Sequence, residues 1–199
     1  MNQFWDQMYD KGTYGEDPNE TLVENSSKIT SGGAILSIGE GEGRNAVWLA
    51  KKGFRVKCVD ISSVGLERLS SFAKKSGVEM LLTTEVADLS DFNFECDGGW
   101  DGIISIWCHL PSTLRRKVHA SIVSSLKSRG VFIAEYYTPS NIGRGTGGPQ
   151  NVDMCVTAQV ASEELSGLDL NIVEKERIVS EGIYHNGLSA VIQIVGVKL

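Results

Sequence analysis

Positive charge is what this chain is short of: 19 lysines and arginines stand against 25 aspartates and glutamates, for a net charge of -6 over 199 residues. Such a balance gives no electrostatic footprint for a phosphate backbone or an anionic bilayer, so neither nucleic acid nor a membrane is expected as a partner. Long apolar runs are missing as well. None approaches the roughly 18 residues of a membrane span, and the opening Met1, Asn2, Gln3, Phe4, Trp5 and Asp6 lack the basic start and apolar middle of a signal peptide, so the expected location is the cytoplasm. The four cysteines (Cys58, Cys96, Cys108, Cys155) form no C-x-x-C pair, which fits reduced thiols and argues against a disulfide framework or a bound metal. There is no P-loop, no G-x-S-x-G elbow and no paired-carboxylate signature. With no repeat, linker or low-complexity tract, the reading is one domain over 1–199, as a monomer or homodimer, acting on a small molecule.

What is present is alternation. Short runs rich in Ile and Val mark strands at Ala34 to Ile38, Arg55 to Val59, Met80 to Glu85, Gly102 to Ile106, Val131 to Tyr136, Leu170 to Lys175 and Ala190 to Val197. Between them lie amphipathic stretches. Ser62 or Ser63 caps a helix whose Leu66, Leu69, Phe72 and Ala73 share a face. After Pro111, Leu114, Val118, Ile122 and Leu126 recur every four residues until Gly130. Arg115 to Lys117 read as the solvated side of that helix. This order predicts a doubly wound α/β fold with a mostly parallel seven-stranded sheet. The last two runs, joined by "SEGIYHNGL", read as a hairpin, which makes the last strand antiparallel.

The chemistry gathers at "ILSIGEGEGRNAVWLAKKGFRVKCVD", residues 35–60, where glycines at 39, 41 and 43 alternate with Glu40 and Glu42 at the first strand-to-helix turn. Glycine there permits unusual backbone angles and close approach of a ligand, and open α/β sheets bind ligands at the carboxyl ends of their strands. Asp60 ends the next strand, where a carboxylate accepts hydrogen bonds from a ribose. The dinucleotide fingerprint G-x-G-x-x-G/A fails, because Arg44 occupies its third small position. Charge points the same way: two like charges about 4 Å apart cost roughly 4 kcal/mol at an effective dielectric of 20, so Glu40 and Glu42 disfavour a pyrophosphate. A cationic, phosphate-free adenosine compound suits the loop.

On these residues the chain resembles the class I S-adenosylmethionine-dependent methyltransferases over nearly its whole length. "ILSIGEGEGRNA" is similar to their glycine motif, "VKCVDIS" to the acidic ribose motif, "VADLSDF" to the adenine-contacting segment and "WDGIISIWCHLP" to their fourth strand. "FWDQMYDKGTYGEDPNETL" and "GTGGPQNVDM" resemble the tellurite-resistance and thiol methyltransferase-like branch. The resemblance implies the Rossmann-like methyltransferase fold, with an N-terminal helical lid over 1–30 and a core over 34–199, and S-adenosylmethionine as cofactor. It places Gly39, Gly41 and Gly43 along the cofactor, Asp60 and Ile61 at the ribose and adenine, Asp88 and Leu89 at the adenine edge, and Ile106 and Trp107 beside the methionine and methyl group. One position departs from the pattern: Ser37 stands where relatives carry an acid that helps hold the methionine end. Glu40 either supplies a substitute carboxylate or points to solvent.

Other candidates have two readings each. Trp5 and Tyr14 belong to an aromatic N-terminal region that either covers a sulfonium by cation-π attraction or pins a helix to the body. His109 and His185 are general bases or satisfied structural residues. Tyr136, Tyr137 and Thr146, the last in "GRGTGGP", lie by the fifth strand as candidate acceptor contacts and a substrate gate. The fourth strand ends in Trp107, Cys108, His109 and Leu110, not in the Asn/Asp-Pro-Pro-Tyr/Phe group that relatives use on nucleic-acid bases. In-line transfer of a methyl group from S-adenosylmethionine to a small-molecule acceptor is the favoured activity. A non-catalytic cofactor-binding module is the alternative, and a nicotinamide-dependent dehydrogenase a distant one.

Overall fold

The structure is a computed structural model that describes residues 2–9 and 14–199. Seven strands form one sheet in the order β3-β2-β1-β4-β5-β7-β6: β1 (Ala34–Ile38), β2 (Arg55–Asp60), β3 (Leu82–Val86), β4 (Trp100–Ile106), β5 (Leu126–Tyr137), β6 (Leu168–Glu181) and β7 (His185–Lys198). β1 to β5 run parallel, and β7 pairs antiparallel with both β5 and β6. Among the described residues six α-helices accompany the sheet: α1 (Asn2–Tyr9), α2 (Glu20–Asn25), α3 (Arg44–Lys51), α4 (Ser63–Lys75), α5 (Ser112–Ser125) and α6 (Ala158–Glu164). No helix among the described residues is long and apolar enough to cross a membrane.

The central strands read clearly because both of their faces are buried. Leu36 and Ile38 of β1 face Val118, Ile122 and Ala161 of the α5/α6 layer, and Ile35 faces Ala46, Leu49, Leu66 and Leu69 of α3 and α4. Burying each such side chain stabilises the fold by roughly 1.5–3 kcal/mol. The cap of α4 is Ser62, whose side chain accepts from the Gly65 amide. Its predicted apolar face holds at Leu66, Leu69 and Ala73, while Phe72 is half-exposed.

Three expectations need correction. The helix after Pro111 stops at Ser125, and Leu126 opens β5 opposite Trp100, with a register irregularity between Trp100 and Gly102. A side chain on Gly130 would meet the Trp100 carbonyl at 2.7 Å, so the irregular approach of the two strands needs glycine there. Second, β3 begins at Leu82, because Met80 is almost fully exposed in a 3-10 turn. Third, Arg115 is not on a solvated face: it is buried and pairs with Glu164 at 3.1 Å, and it donates to the Asp153 carbonyl at 2.8 Å. Its neighbours Arg116 and Lys117 are exposed. The hairpin strands are also longer than their apolar runs, 14 residues each. The outer half of β6 carries Arg177 and Glu181 toward the body, which breaks the alternation by which strands are recognised.

Candidate functional site

The carboxyl ends of β1, β2, β4 and β5 bring the candidate residues together. The chain leaves β1 through three left-handed glycines, Gly39 (φ 61°), Gly41 (φ 60°) and Gly43 (φ 90°), the last being the N-cap of α3. Space requires the glycines as much as angle does. A Cβ on Gly39 would lie 2.7 Å from Cys108 Sγ, and one on Gly43 would lie 2.4 Å from Leu69 Cγ. Glu40 does not point to solvent. Its side chain turns back under the loop, accepting from Ser37 Oγ with one oxygen and from the Ala46 amide, 2.8 Å away, with the other. Burial pushes its carboxyl up to about 7, against the lowering effect of those two hydrogen bonds and Arg44.

Asp60, at the end of β2, is buried and accepts from the Gly41 amide at 2.8 Å and the Ser62 amide at 2.9 Å. Burial raises its carboxyl above the usual range, and backbone hydrogen bonds from Ser62, Gly41 and Ile61 oppose the rise. Ile61, Asp88 and Leu89 are half-buried nearby in the chain's path. Asp88 also makes a turn, accepting from the Ser90 amide at 2.9 Å, and Leu89 packs on the edge of the core that faces α5.

At the end of β4, Ile106 is buried and Trp107 takes a left-handed φ of 56°, uncommon for a bulky residue. The strain is held from both ends. The Trp107 amide donates to the Glu135 carbonyl at 3.0 Å, and the indole N–H donates to Glu181 at 2.6 Å. Trp107 stacks on Tyr137 (ring centroids 4.4 Å apart) and on His185 (5.1 Å), and His109 stacks on Tyr137 at 5.5 Å. Both histidines are neutral. Burial, then the neighbouring His185, pushes His109 down to about 3, and burial, then Arg44, pushes His185 down to about 4. Nε2 of His109 is buried with no hydrogen-bond partner. Tyr137 Oη lies 2.7 Å from His185 Nδ1 and 3.2 Å from the Thr146 carbonyl. Tyr136 behaves differently: it is turned into the core, where it donates to Ser105 Oγ at 2.7 Å. The loop containing Thr146 is tied to the hairpin, since Ser189 Oγ donates to Thr146 Oγ1 at 2.9 Å and the Asn186 amide to the Thr146 carbonyl at 3.2 Å.

From the N-terminal region it is Tyr9 that meets the glycine loop, with its ring against Gly41 and Gly65. Trp5 stacks on Tyr9 at 6.0 Å. Tyr14 links two parts of the site, its amide donating to Glu42 at 3.1 Å and its ring lying 5.3 Å from His185.

Behind Trp107 lies a buried ionic cluster that the sequence did not disclose. Glu181 takes hydrogen bonds from Arg44, Trp107, Arg177 and Asn19, while Glu135 takes them from Arg177, Asn19 and Gln193. Burial would raise the Glu181 carboxyl, but Arg44, then the indole N–H and Arg177, hold it below the usual range. The one signal available was Arg44 itself, a charged residue where a dinucleotide loop needs a small one.

The residues fit an adenosine cofactor without phosphates. They offer a buried carboxylate at the end of β2, a turn of bare glycine backbone, and aromatic walls beyond it, while Glu181 and Glu135 balance Arg44 and Arg177.

Comparison with known proteins agrees. Residues 35–130 match the family model described as a methyltransferase domain. No curated protein matches the chain in sequence. TehB from Haemophilus influenzae superposes with a TM-score of 0.75 at 13% identity, over 100% of this chain and 67% of that one. The N-methyltransferase NodS from Bradyrhizobium japonicum gives 0.67 at 14%, over 90% and 94%. The glycopeptide N-methyltransferase MtfA, complexed with S-adenosyl-L-methionine, gives 0.66 at 16%, over 93% and 88%.

Proposed function

We propose that the chain is a class I S-adenosylmethionine-dependent methyltransferase, a reading supported by the methyltransferase-domain match over residues 35–130, and that it methylates a small-molecule acceptor held beyond the ends of β4 and β5. The observation that carries the acceptor site is the tier of Trp107, His109, Tyr137 and His185, aromatic and uncharged, at the ends of β4, β5 and β7. Two structural neighbours, the N-methyltransferase NodS and the glycopeptide N-methyltransferase MtfA, are in keeping with an acceptor that is not nucleic acid.

When bound, the cofactor supplies an electrophilic methyl group on a sulfonium. The protein's part is placement, exclusion of water and management of one proton. Asp60 accepts the ribose hydroxyls, and Gly39, Gly41 and Gly43 let the ligand lie on the main chain. Ile61, Asp88 and Leu89 flank the adenine, Ile106 and Trp107 border the methionine end, and Tyr14 lies toward the acceptor. Glu40 brings a carboxylate beside position 37, where the resemblance expects an acid: Ser37 Oγ donates to it.

His185 is the group we assign to the acceptor's proton. Tyr137 has one hydroxyl proton, and the Thr146 carbonyl can only accept, so both of the tyrosine's contacts are satisfied together when Tyr137 donates to Thr146 and His185 Nδ1–H donates to Tyr137. That tautomer leaves Nε2 of His185 as a bare acceptor. With a pKa near 4, His185 is a weak base, suited to an acceptor that is already nucleophilic at neutral pH.

Calorimetry with S-adenosylhomocysteine on wild type and Asp60→Ala, together with transfer of labelled methyl to a panel of thiols, phenols, amines and metalloid oxyanions, tests the reading. Asp60→Ala should weaken binding by at least about 1 kcal/mol, since a charged hydrogen-bond acceptor is lost. Binding without transfer to any acceptor would leave a non-catalytic binding module, and tight binding of NAD in place of S-adenosylhomocysteine would overturn the cofactor assignment.

A further inference from the structure

Tyr9 sits where a ligand of the glycine loop has to lie. It is the last residue of α1 and is buried, at 7% exposure. A Cβ built on Gly41 would be 2.5 Å from its phenol oxygen and 2.8 Å from two of its ring carbons, and one on Gly65 would be 3.0 Å from Cδ2. The ring therefore rests directly on bare backbone at the carboxyl end of β1 and on the first turn of α4. The glycine under the phenol, Gly41, donates its amide to Asp60 at 2.8 Å, which places the ring beside that carboxylate, and burial, then Asp60, raise the phenol well above its ordinary pKa. Asp60 belongs to β2, and Cys108 follows β4 and packs on Gly39. The phenol thus occupies the space between the ends of β2, β1 and β4, the space that the ribose and methionine end of the cofactor require.

We propose that Tyr9 is an internal competitor for the cofactor, so that α1 has to leave the glycine loop before S-adenosylmethionine can enter. The inference rests on the cofactor assignment made above. It reverses the sign of the lid reading, in which α1 closes over a bound cofactor and adds contacts to it.

The way α1 is held suits release. It is eight residues long, too short to be a stable helix by itself. Its attachments include the hydrogen bond from Ser62 Oγ to Asp6 at 2.6 Å, the Tyr9 ring on the two glycines and beside Tyr14, and stacking of Trp5 on Tyr9, while Phe4 is largely exposed. Asp6 and Ser62 form a tether outside the space that Tyr9 fills, so cutting it loosens α1 without removing any group assigned to the cofactor.

The experiment is calorimetric titration of the full chain with S-adenosylhomocysteine, comparing wild type, Tyr9→Ala and Asp6→Ala after circular dichroism has confirmed folding. It is paired with hydrogen exchange of residues 2–9 in wild type with and without the ligand. Competition predicts that both variants bind about 3- to 30-fold more tightly and that exchange in residues 2–9 speeds up on binding. Unchanged or weaker binding by Asp6→Ala, which keeps the Tyr9 ring, overturns the proposal even if Tyr9→Ala fails to fold. Slower exchange in residues 2–9 on binding overturns it as well, in favour of a lid. Failure of every form to bind would instead sink the cofactor assignment and the proposal with it.

Discussion

Nδ1 of His185, the first residue of β7, lies 2.7 Å from the phenol oxygen of Tyr137, the last residue of β5. The contact crosses the end of the sheet beside Trp107 and ties the imidazole's tautomer to a neighbour's hydroxyl. Tyr137→Phe removes the partner of the Nδ1 proton and should lower kcat about tenfold with cofactor affinity unchanged. His185→Gln should lower kcat by about 100-fold, the lower end of what a positioned base contributes. Steady-state kinetics with any acceptor found active, together with calorimetry of the cofactor product, separates the two parameters.

The same imidazole sets a pH dependence. Its folded pKa, near 4, is below the ordinary value, so the unfolded chain binds the extra proton first and the buried neutral ring disfavours the fold as pH falls from about 6.5 toward 4. In the Glu40→Gln background, which removes the other site group titrating near neutrality, and for an acceptor that does not titrate, kcat/KM should be flat from pH 6 to 8 and fall only below about pH 5. An inflection near 6.5 would show a solvent-exposed imidazole instead.

Glu40 acts in the opposite direction. Its folded pKa, about 7, is above that of a free carboxyl, so the folded chain holds the extra proton. Its contribution to stability is full below about pH 4.5 and is lost as pH rises through 7. Denaturant unfolding of wild type and Glu40→Gln at pH 5 and pH 8 should show wild type losing roughly 1–3 kcal/mol relative to the variant. A pH-independent difference would place the carboxyl in contact with solvent.

Glu181 faces Arg44, Arg177, Asn19 and the Trp107 indole at once. Glu181→Ala strands the Arg44 guanidinium, while Arg177 keeps Glu135, and should cost about 3–5 kcal/mol for breaking a buried pair. Glu181→Gln keeps an acceptor for the indole and should cost less. Urea midpoints measure both.

Two glycines with the same angle give an internal control. Gly43 and Gly53 both have φ 90°, but a Cβ on Gly43 would strike Leu69 at 2.4 Å, whereas nothing lies within 4 Å of one on Gly53. Gly53→Ala should cost about 1–2 kcal/mol from backbone strain alone, and Gly43→Ala a further 1–3 kcal/mol or so from overpacking. Equal losses in thermal unfolding would show that Leu69 yields freely.

How much of this was legible depended on whether a residue's neighbours were apolar. β1 matches its apolar run residue for residue, because Ile35, Leu36 and Ile38 are buried in cores on the two faces of the sheet. Leu126 kept helical spacing and still joined β5, since pairing with Trp100 is a distant contact that spacing does not encode. Trp5 and Tyr9 lie on one helical face, and periodicity cannot say which of the two docks; the bare backbone of Gly41 and Gly65 selects Tyr9. The ionic cluster was hidden for a similar reason, because Arg177 and Glu181 look like solvent-facing residues of an edge strand until Arg44 and Glu135 are brought to meet them.

Asn19 donates to Glu181, 162 residues later in the chain. This hydrogen bond closes nearly the longest loop the sequence allows, and Arg44 and Trp107 share the same carboxylate. During synthesis those groups wait for the final hairpin, so the site's rear wall forms last and by high contact order, which slows folding. A nascent chain that stalls before β6 has every residue of the glycine turn, yet it lacks the carboxylate that accepts from the Trp107 indole.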